Sequence, residues 1–344
     1  MENGELAATT EFVHNAAPEP QRAAASLAAT RGGAVDVALF VVDQSGARPR
    51  PVSPSREAVQ DALIAGRIDS VDSSVAALVR DETGNLYGTA SQGGFAGCAS
   101  SVRSGCGTVF KLSPEGKLTV LHRFTGTGTD GGIPLAGLIL DETGDLYGTA
   151  SVGGSFSTAR CVSLDGCGTI FKIGEKGKFS VLYSFLGSPI DGATPTAELI
   201  RDSKGNLYGA SNDGLNYTGE IFKLSPAGHE TVLYSFATYP SPDGAGPSRL
   251  VRDAEGNFYG TAAGGGTGGI NSTGLCPGMG CGTVFKLDPA GNLTVLADLG
   301  SAEAPGSVPK SGVILDHEGN LYGVGTGTNC KLGVDCGEVF KIAP

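Results

Sequence analysis

Asp81-Glu-Thr-Gly-Asn-Leu-Tyr-Gly88 returns as Asp141-Glu-Thr-Gly-Asp-Leu-Tyr-Gly148, Asp202-Ser-Lys-Gly-Asn-Leu-Tyr-Gly209, Asp253-Ala-Glu-Gly-Asn-Phe-Tyr-Gly260 and Asp316-His-Glu-Gly-Asn-Leu-Tyr-Gly323, each followed by a Val/Ile-Phe-Lys segment. Phe110 to Gly148, Phe171 to Gly209, Phe222 to Gly260 and Phe285 to Gly323 each span 38 residues. The chain is therefore one unit copied five times, and its copies must share a fold. The stretch from the hairpin Gly to the next repeat Phe is not constant: it runs 22, 23, 13, 25 and 17 residues. A loop free to vary on a fixed frame is where binding is expected.

Each copy carries four strand signals, for example 136–140, 146–151, 169–173 and 179–185, rich in Val, Ile, Leu, Phe, Tyr and Thr. The first and third connections, Asp-x-x-Gly-Asn/Asp and Ser-Pro-Glu-Gly-Lys at 113–117, are tight turns in which Gly supplies a positive φ. Repeated four-stranded antiparallel meanders are propeller blades, so the expected fold is an all-β propeller of five four-stranded antiparallel blades. In such a meander the variable loops and the connections between blades leave from one end. The connections are 125–134, 186–195, 237–247 and 300–309.

The last copy stops after its third strand signal, at Phe340-Lys-Ile-Ala-Pro344. An open sheet edge invites pairing, so some other segment is expected to supply the missing strand. Counting back 14 residues from Leu78 reaches Ile64, which makes 59–64 the register-matched closing strand. A helix over 57–64 capped by Ser53-Pro54 is the rival. A further alternative is six blades with a degenerate first one, because Leu39-Phe-Val-Val-Asp43-Gln-Ser-Gly46 echoes the repeat hairpin. The expected organisation is a disordered extension over 1–34, a closing segment or degenerate blade over 35–74, and the five-repeat propeller over 75–344.

The eight cysteines fall as Cys98/Cys106, Cys161/Cys167, Cys276/Cys281 and Cys330/Cys336, a pair in the variable loop of four copies and none in the third. Gain or loss by twos points to local disulfides and an oxidising, extracytoplasmic location. Zinc fits less well, since the spacings are not those of a zinc knuckle and these loops contain no histidine. No ordinary signal peptide is evident: the longest early apolar run, 37–42, is short and sits far into the chain. A net charge of −11 and a pI near 4.8 offer no basic stripe for nucleic acid. No run is long and apolar enough to be read as membrane-spanning.

The string Gly107-Thr-Val-Phe-Lys-Leu-Ser-Pro-Glu-Gly-Lys-Leu-Thr-Val-Leu121, together with Gly84-Asn-Leu-Tyr-Gly-Thr89, resembles the GloVer tandem repeat of bacterial choice-of-anchor surface proteins over about 75–344. The resemblance implies an exported, propeller-like protein with a variable C-terminal anchor and carries no ligand or reaction. Against that pattern, the sequence reads as departing at both ends, with neither a sorting tail after Pro344 nor a leader before the repeats expected. More loosely, the Asp-x-x-Gly-Asn-Leu-Tyr hairpin is similar to those of NHL-type propellers and the streptogramin lyase propeller, which keeps an enzyme reading open.

The hairpin aspartates Asp81, Asp141, Asp202, Asp253 and Asp316 are expected to cap their own turns. Asp130, Asp191 and Asp243 each precede Gly on the variable end. Three carboxylates around one pseudo-symmetry axis could hold calcium or act as acid and base on a sugar, and the plainer reading is Asp-Gly turn chemistry. At one aligned inner-strand position stand Ala77, Gly137, Glu198, Arg249 and Gly312, so Glu198 beside Arg249 reads as an ion pair or a ligand clamp. Phe95, Phe156, Tyr217 and Tyr239 could stack on sugar faces, although the chain has no Trp. His14, His122, His229 and His317 lie outside the variable loops, which disfavours a Ser-His-Asp site there. Gly264-Gly-Gly-Thr-Gly-Gly269 lacks the Lys and helix of a phosphate loop. The leading expectation is a non-enzymatic extracytoplasmic propeller whose disulfide-stiffened loops recognise a glycan or a protein. The alternatives are a polysaccharide hydrolase or lyase using Asp130, Asp191, Asp243 and Glu198, or a structural cell-surface repeat. No cofactor is expected beyond the calcium reading, and no other metal.

Overall fold

The computed structural model describes residues 76–95, 105–126, 130–213, 218–238, 241–266, 280–299, 308–309, 311–327 and 336–343. The expected closing strand 59–64, the segment 35–74, the extension 1–34, Cys98, Cys276, Cys330, Tyr217 and Tyr239 lie outside the described residues.

Each repeat folds into its own antiparallel sheet. The first sheet holds β1 (Val79–Arg80), β2 (Leu86–Ala90), β3 (Thr108–Leu112) and β4 (Leu118–Arg123); the second holds β5 (Ile139–Leu140), β6 (Leu146–Ala150), β7 (Thr169–Ile173) and β8 (Phe179–Ser184). In the third, β9 (Ala193–Pro195) and β10 (Ile200–Arg201) both pair with β11 (Leu207–Asp213), followed by β12 (Glu220–Leu224) and β13 (Glu230–Ser235). The fourth repeats this plan with β14 (Ala245–Pro247), β15 (Val251–Arg252), β16 (Phe258–Gly264), β17 (Thr283–Leu287) and β18 (Leu293–Asp298). In the fifth, β19 (Val308–Pro309) and β20 (Ile314–Leu315) line one side of β21 (Leu321–Gly327), and β22 (Cys336–Ile342) lines the other. The inner strand is thus broken into two short pieces in three repeats rather than running as one. Its first piece ends on a proline, which cannot donate to a ladder.

The repeat hairpin explains the order of these strands. Asp81 N–H donates to Asn85 O at 3.0 Å and Gly84 N–H to Asp81 O at 3.1 Å, with Gly84 at φ +89°, where a side chain would be strained. The Asp81 carboxylate accepts from Asn85 N–H at 2.8 Å and from Tyr87 OH at 3.0 Å, which ties the turn to the second strand. The tyrosine bond recurs at Asp141, Asp202, Asp253 and Asp316. Burial pushes the Asp81 carboxyl upward, but hydrogen bonds from Asn85, Thr83 and Tyr87 outweigh it and leave the pKa below its usual value. These five residues are turn caps.

First or second strands of one sheet touch the first strand of the next: β1 meets β5, β6 meets β9, β11 meets β14 and β16 meets β19. The apolar interior lies between sheets rather than within one. A separate cluster fills each junction, such as Ile139, Ile170 and Phe185 of the second sheet against Leu199, Phe222 and Leu224 of the third. This is a propeller-like, all-β arrangement.

The hairpin glycine is fixed by that packing. A Cβ on Gly148 would stand 2.6 Å from Phe171 Cζ and 2.8 Å from Leu138 Cδ2, because the phenylalanine of the third strand lies across the second. Gly148→Ala should lower unfolding free energy by about 1–3 kcal/mol through overpacking. A denaturant titration showing no change would contradict this account of the slot.

Candidate functional site

The variable loops and the connections between sheets emerge at one end, and the loop of the second repeat shows how that end is built. Thr158 caps α1 (Ala159–Ser163), accepting from Cys161 N–H at 3.2 Å and donating from Oγ1 to Leu186 O at 2.8 Å. Cys161 and Cys167 form a disulfide, and both are fully buried. Cys167 O accepts from Thr194 N–H of the next repeat at 2.9 Å, with Thr194 held at φ +53° ahead of Pro195. The same bond joins Ile133 N–H to Cys106 O at 2.8 Å, and Gly246 N–H to Thr218 O at 2.7 Å in the cysteine-free third repeat. Each loop therefore braces the junction to its successor. Cys106 and Cys281 are also disulfide-bonded, and no cysteine is free among the described residues.

Arg160 of α1 crosses to the third sheet and pairs with the buried Asp213. Around this framework, apolar side chains face water. Phe95 (53 % exposed), Phe156 (45 %), Val162 (62 %) and Ile190 (56 %) all lie on loops of the first two repeats at this end.

The three Asp-Gly aspartates share one local device. Asp130 accepts from Thr125 N–H at 3.0 Å, Thr125 Oγ1 at 2.5 Å and His122 Nε2 at 3.2 Å. Asp191 accepts from Leu186 and Gly187 N–H, both at 2.8 Å, and from Tyr183 OH at 2.5 Å. Asp243 accepts from Ala237 N–H at 3.2 Å and Tyr234 OH at 2.6 Å. Each carboxylate closes its own connection and holds the ring that ends the outer strand. The signal was present in the sequence: the fourth repeat has Ala297 in place of the ring, and no Asp-Gly follows it. His122 thus reaches the variable end from a strand. Burial lowers its pKa while Asp130 works against that, and its ring stacks on Phe179 at 3.7 Å. Thr125 bonds to Asp130 and not to the imidazole, so the order hydroxyl–imidazole–carboxylate needed for nucleophilic attack is absent from this group.

Glu198 lies 3.4 Å from Arg249 across neighbouring inner strands, an ion pair. Among the described residues no group of three His, Cys, Asp or Glu side chains is placed to hold a metal ion.

A second carboxylate group, unanticipated from the sequence, lies buried between the second and third sheets. Glu220 is fully buried, and Asp191 and Asp213 nearly so. Neither Glu220 oxygen makes a well-formed hydrogen bond, although the Gly192 N–H lies nearby. Burial first, then the charges of Glu230, Asp191 and Asp213, push the Glu220 pKa up to about 8. Burial and the Asp191 charge lift Glu230 to about 7. Burial also raises Asp191, against its hydrogen bonds from Tyr183, Leu186 and Gly187. The group is packed tight: a Cβ on Gly192 would lie 2.2 Å from Glu220 Oε1 and 2.3 Å from Ser211 Oγ. Its sequence signal was Gly-Glu-Ile-Phe-Lys at 219–223, where the first, second and fourth repeats have Gly-Thr-Val/Ile-Phe-Lys.

Solved structures similar to this chain include a gluconolactonase from Xanthomonas campestris, 15% identical with a TM-score of 0.41, covering 81% of this chain and 82% of that one. A luciferin-regenerating enzyme matches at 13% identity and a TM-score of 0.41, covering 78% and 91%. An exo-β-1,3-galactanase from Phanerochaete chrysosporium matches at 13% identity and a TM-score of 0.41, covering 73% and 56%. None of these likenesses carries an activity to this chain. No curated protein matches it. The Gloeobacter/Verrucomicrobia repeat matches residues 67–275, well over half of the 344-residue chain, and with its recurring hairpin and one sheet per copy the chain belongs to that family.

Proposed function

We propose that this protein is an extracytoplasmic recognition scaffold whose loop end binds a glycan or a protein without transforming it. The observation that carries this reading is the contrast at that end between the three Asp-Gly carboxylates, each engaged by its own connection, and the apolar side chains left in water. Asp130, Asp191 and Asp243 are committed to closing their connections, and Glu198 to Arg249. Phe95 and Phe156 stand in water within two residues of the equivalent glycines Gly94 and Gly154 of successive loops, with Val162 and Ile190 exposed in the second repeat. Exposed aromatics on a braced loop favour binding, because little side-chain freedom remains to be lost. The buried Cys161–Cys167 disulfide supports an oxidising compartment. No helix among the described residues is long and apolar enough to cross a membrane.

The test is a glycan array and a surface-protein panel probed with the native protein and with the double variant Phe95→Ser/Phe156→Ser. Expected is a ligand whose affinity falls about tenfold or more in the variant at unchanged thermal stability. Release of reducing ends or unsaturated sugars from a bound polysaccharide, abolished by Asp130→Asn, would replace this reading with the hydrolase or lyase one. Absence of any ligand would favour a structural repeat.

A further inference from the structure

The same position can be compared in five sheets, and the fifth departs. Val109, Ile170, Ile221 and Val284 are 0% exposed, whereas Val339 on β22 is 75% exposed. Thr89, Thr149, Ala210 and Thr261 are at most 1% exposed, whereas the aligned Val324 on β21 is 44% exposed. Ile314 on β20 is 56% exposed, against 2% for Ile139 in the second sheet. Val324 pairs with Val339, and Ile314 with Tyr322 two residues before Val324, so all three share one sheet face. In the other sheets that face packs on the next sheet. In the fourth, Leu296 is 37% exposed, while its counterparts Leu121, Leu182 and Leu233 pack into junction cores.

Among the described residues two kinds of cover are absent. An outer strand beside β22 would shield Val339 and Leu296, as β8 brings Phe179 onto the core that holds Leu121. Such a strand does not reach Ile314 and Val324 on the inner strands. Among the described residues the first sheet does not cover these two either.

We propose that residues 35–74 of this chain seat on this face, with 59–64 running antiparallel along the free edge of β22 as its outer strand and the preceding residues, including Leu39-Phe-Val-Val42, covering Ile314 and Val324. The register supports this occupant. Phe124, Phe185, Phe236 and Leu299 each lie fourteen residues before Leu138, Leu199, Leu250 and Val313 and are at most 2% exposed. Ile64 lies fourteen before Leu78. In all four junctions the N–H of the leading residue donates to a glycine carbonyl at the start of the third strand: Gly107, Gly168, Gly219 and Gly282, at 3.0 to 3.1 Å. The aligned glycine is Gly337 of β22, so in this proposal Gly337 O is the acceptor for Ile64 N–H. The bond would satisfy an edge that otherwise offers itself to other chains.

Hydrogen exchange on the full chain, read by mass spectrometry at several protein concentrations, tests this. The expected result is concentration-independent protection of 59–64 and of β22, with amides exchanging ~100-fold or more slowly than in an unpaired strand. Ile64→Asp should abolish the protection of both segments together and leave β6 and β7 protected. Should Ile64→Asp fail to fold, Ile64→Ala should produce the same paired loss in milder form. Fast exchange of β22 in the native chain, protection that survives both substitutions, or protection that appears only as a dimer forms would each overturn the assignment, the last in favour of a second copy on the face.

Discussion

Replacing Glu220 with threonine should raise stability at pH 9 by several kcal/mol and change it little at pH 5. The reasoning starts from the repeat. The first, second and fourth copies hold Thr108, Thr169 and Thr283 at this buried position, and the hydroxyls of Thr169 and Thr283 donate to Asp130 O at 3.3 Å and Asp243 O at 3.0 Å. The third copy places a carboxyl there, facing Asp191 and Tyr183 from the second sheet and Glu230, Asp213 and Ser211 from its own, with Arg160 paired to Asp213. A carboxyl whose pKa is higher folded than unfolded holds its proton more tightly in the native state. Its stability contribution is therefore complete below the unfolded value, about 4.5, and is lost as pH rises through the folded value, about 8 for Glu220 and about 7 for Glu230. Each unit of upward shift is worth about 1.4 kcal/mol, so ionising Glu220 alone costs on the order of 3–5 kcal/mol. Urea titrations at pH 5 and pH 9 on the native protein and Glu220→Thr should show a steep loss of stability in the first and a shallower one in the second. Equal slopes would mean that Glu220 does not carry the alkaline instability.

Opening the Cys161–Cys167 disulfide, by Cys161→Ala/Cys167→Ala, should lower unfolding free energy by about 2–3 kcal/mol, the value for a short closed loop. The loss should be local as well as global. Cys167 O anchors Thr194, and Thr158 beside the disulfide holds Leu186, so exchange should accelerate first at 186–195 and in α1. The third repeat is the internal control, because Thr218 occupies the same station without a cysteine pair, accepting from Gly246 N–H and donating from Oγ1 to Phe236 O at 2.7 Å. Uniform acceleration across all sheets would argue that the bridge acts only on the unfolded chain.

The repeat spacing made the sheets legible, since Gly148 against Phe171 and Asp141 against Tyr147 are local arrangements that any copy must reproduce. The helix α1 was not legible: five residues inside a loop of variable length give no periodic signal. At the loop end, Asp130, Asp191 and Asp243 were visible, but their role depended on partners in the outer strand, His122, Tyr183 and Tyr234, eight or nine residues earlier. Glu220 was missed because its neighbours come from separate segments, Asp191 from the connection before β9 and Glu230 from β13, and only folding brings their charges together.

The junction clusters have a consequence for how such a chain can change over evolutionary time. Every interior is enclosed by the leading face of one copy and the trailing face of the next, built from equivalent residues such as Ile170 with Phe222 and Ile221 with Phe285. Excising a whole copy, 51 to 63 residues from one hairpin aspartate to the next, by unequal recombination would join two faces of the same design and recreate a native contact. Blade number is therefore free to drift by duplication and loss, while point changes inside any one interior are held by both neighbours at once.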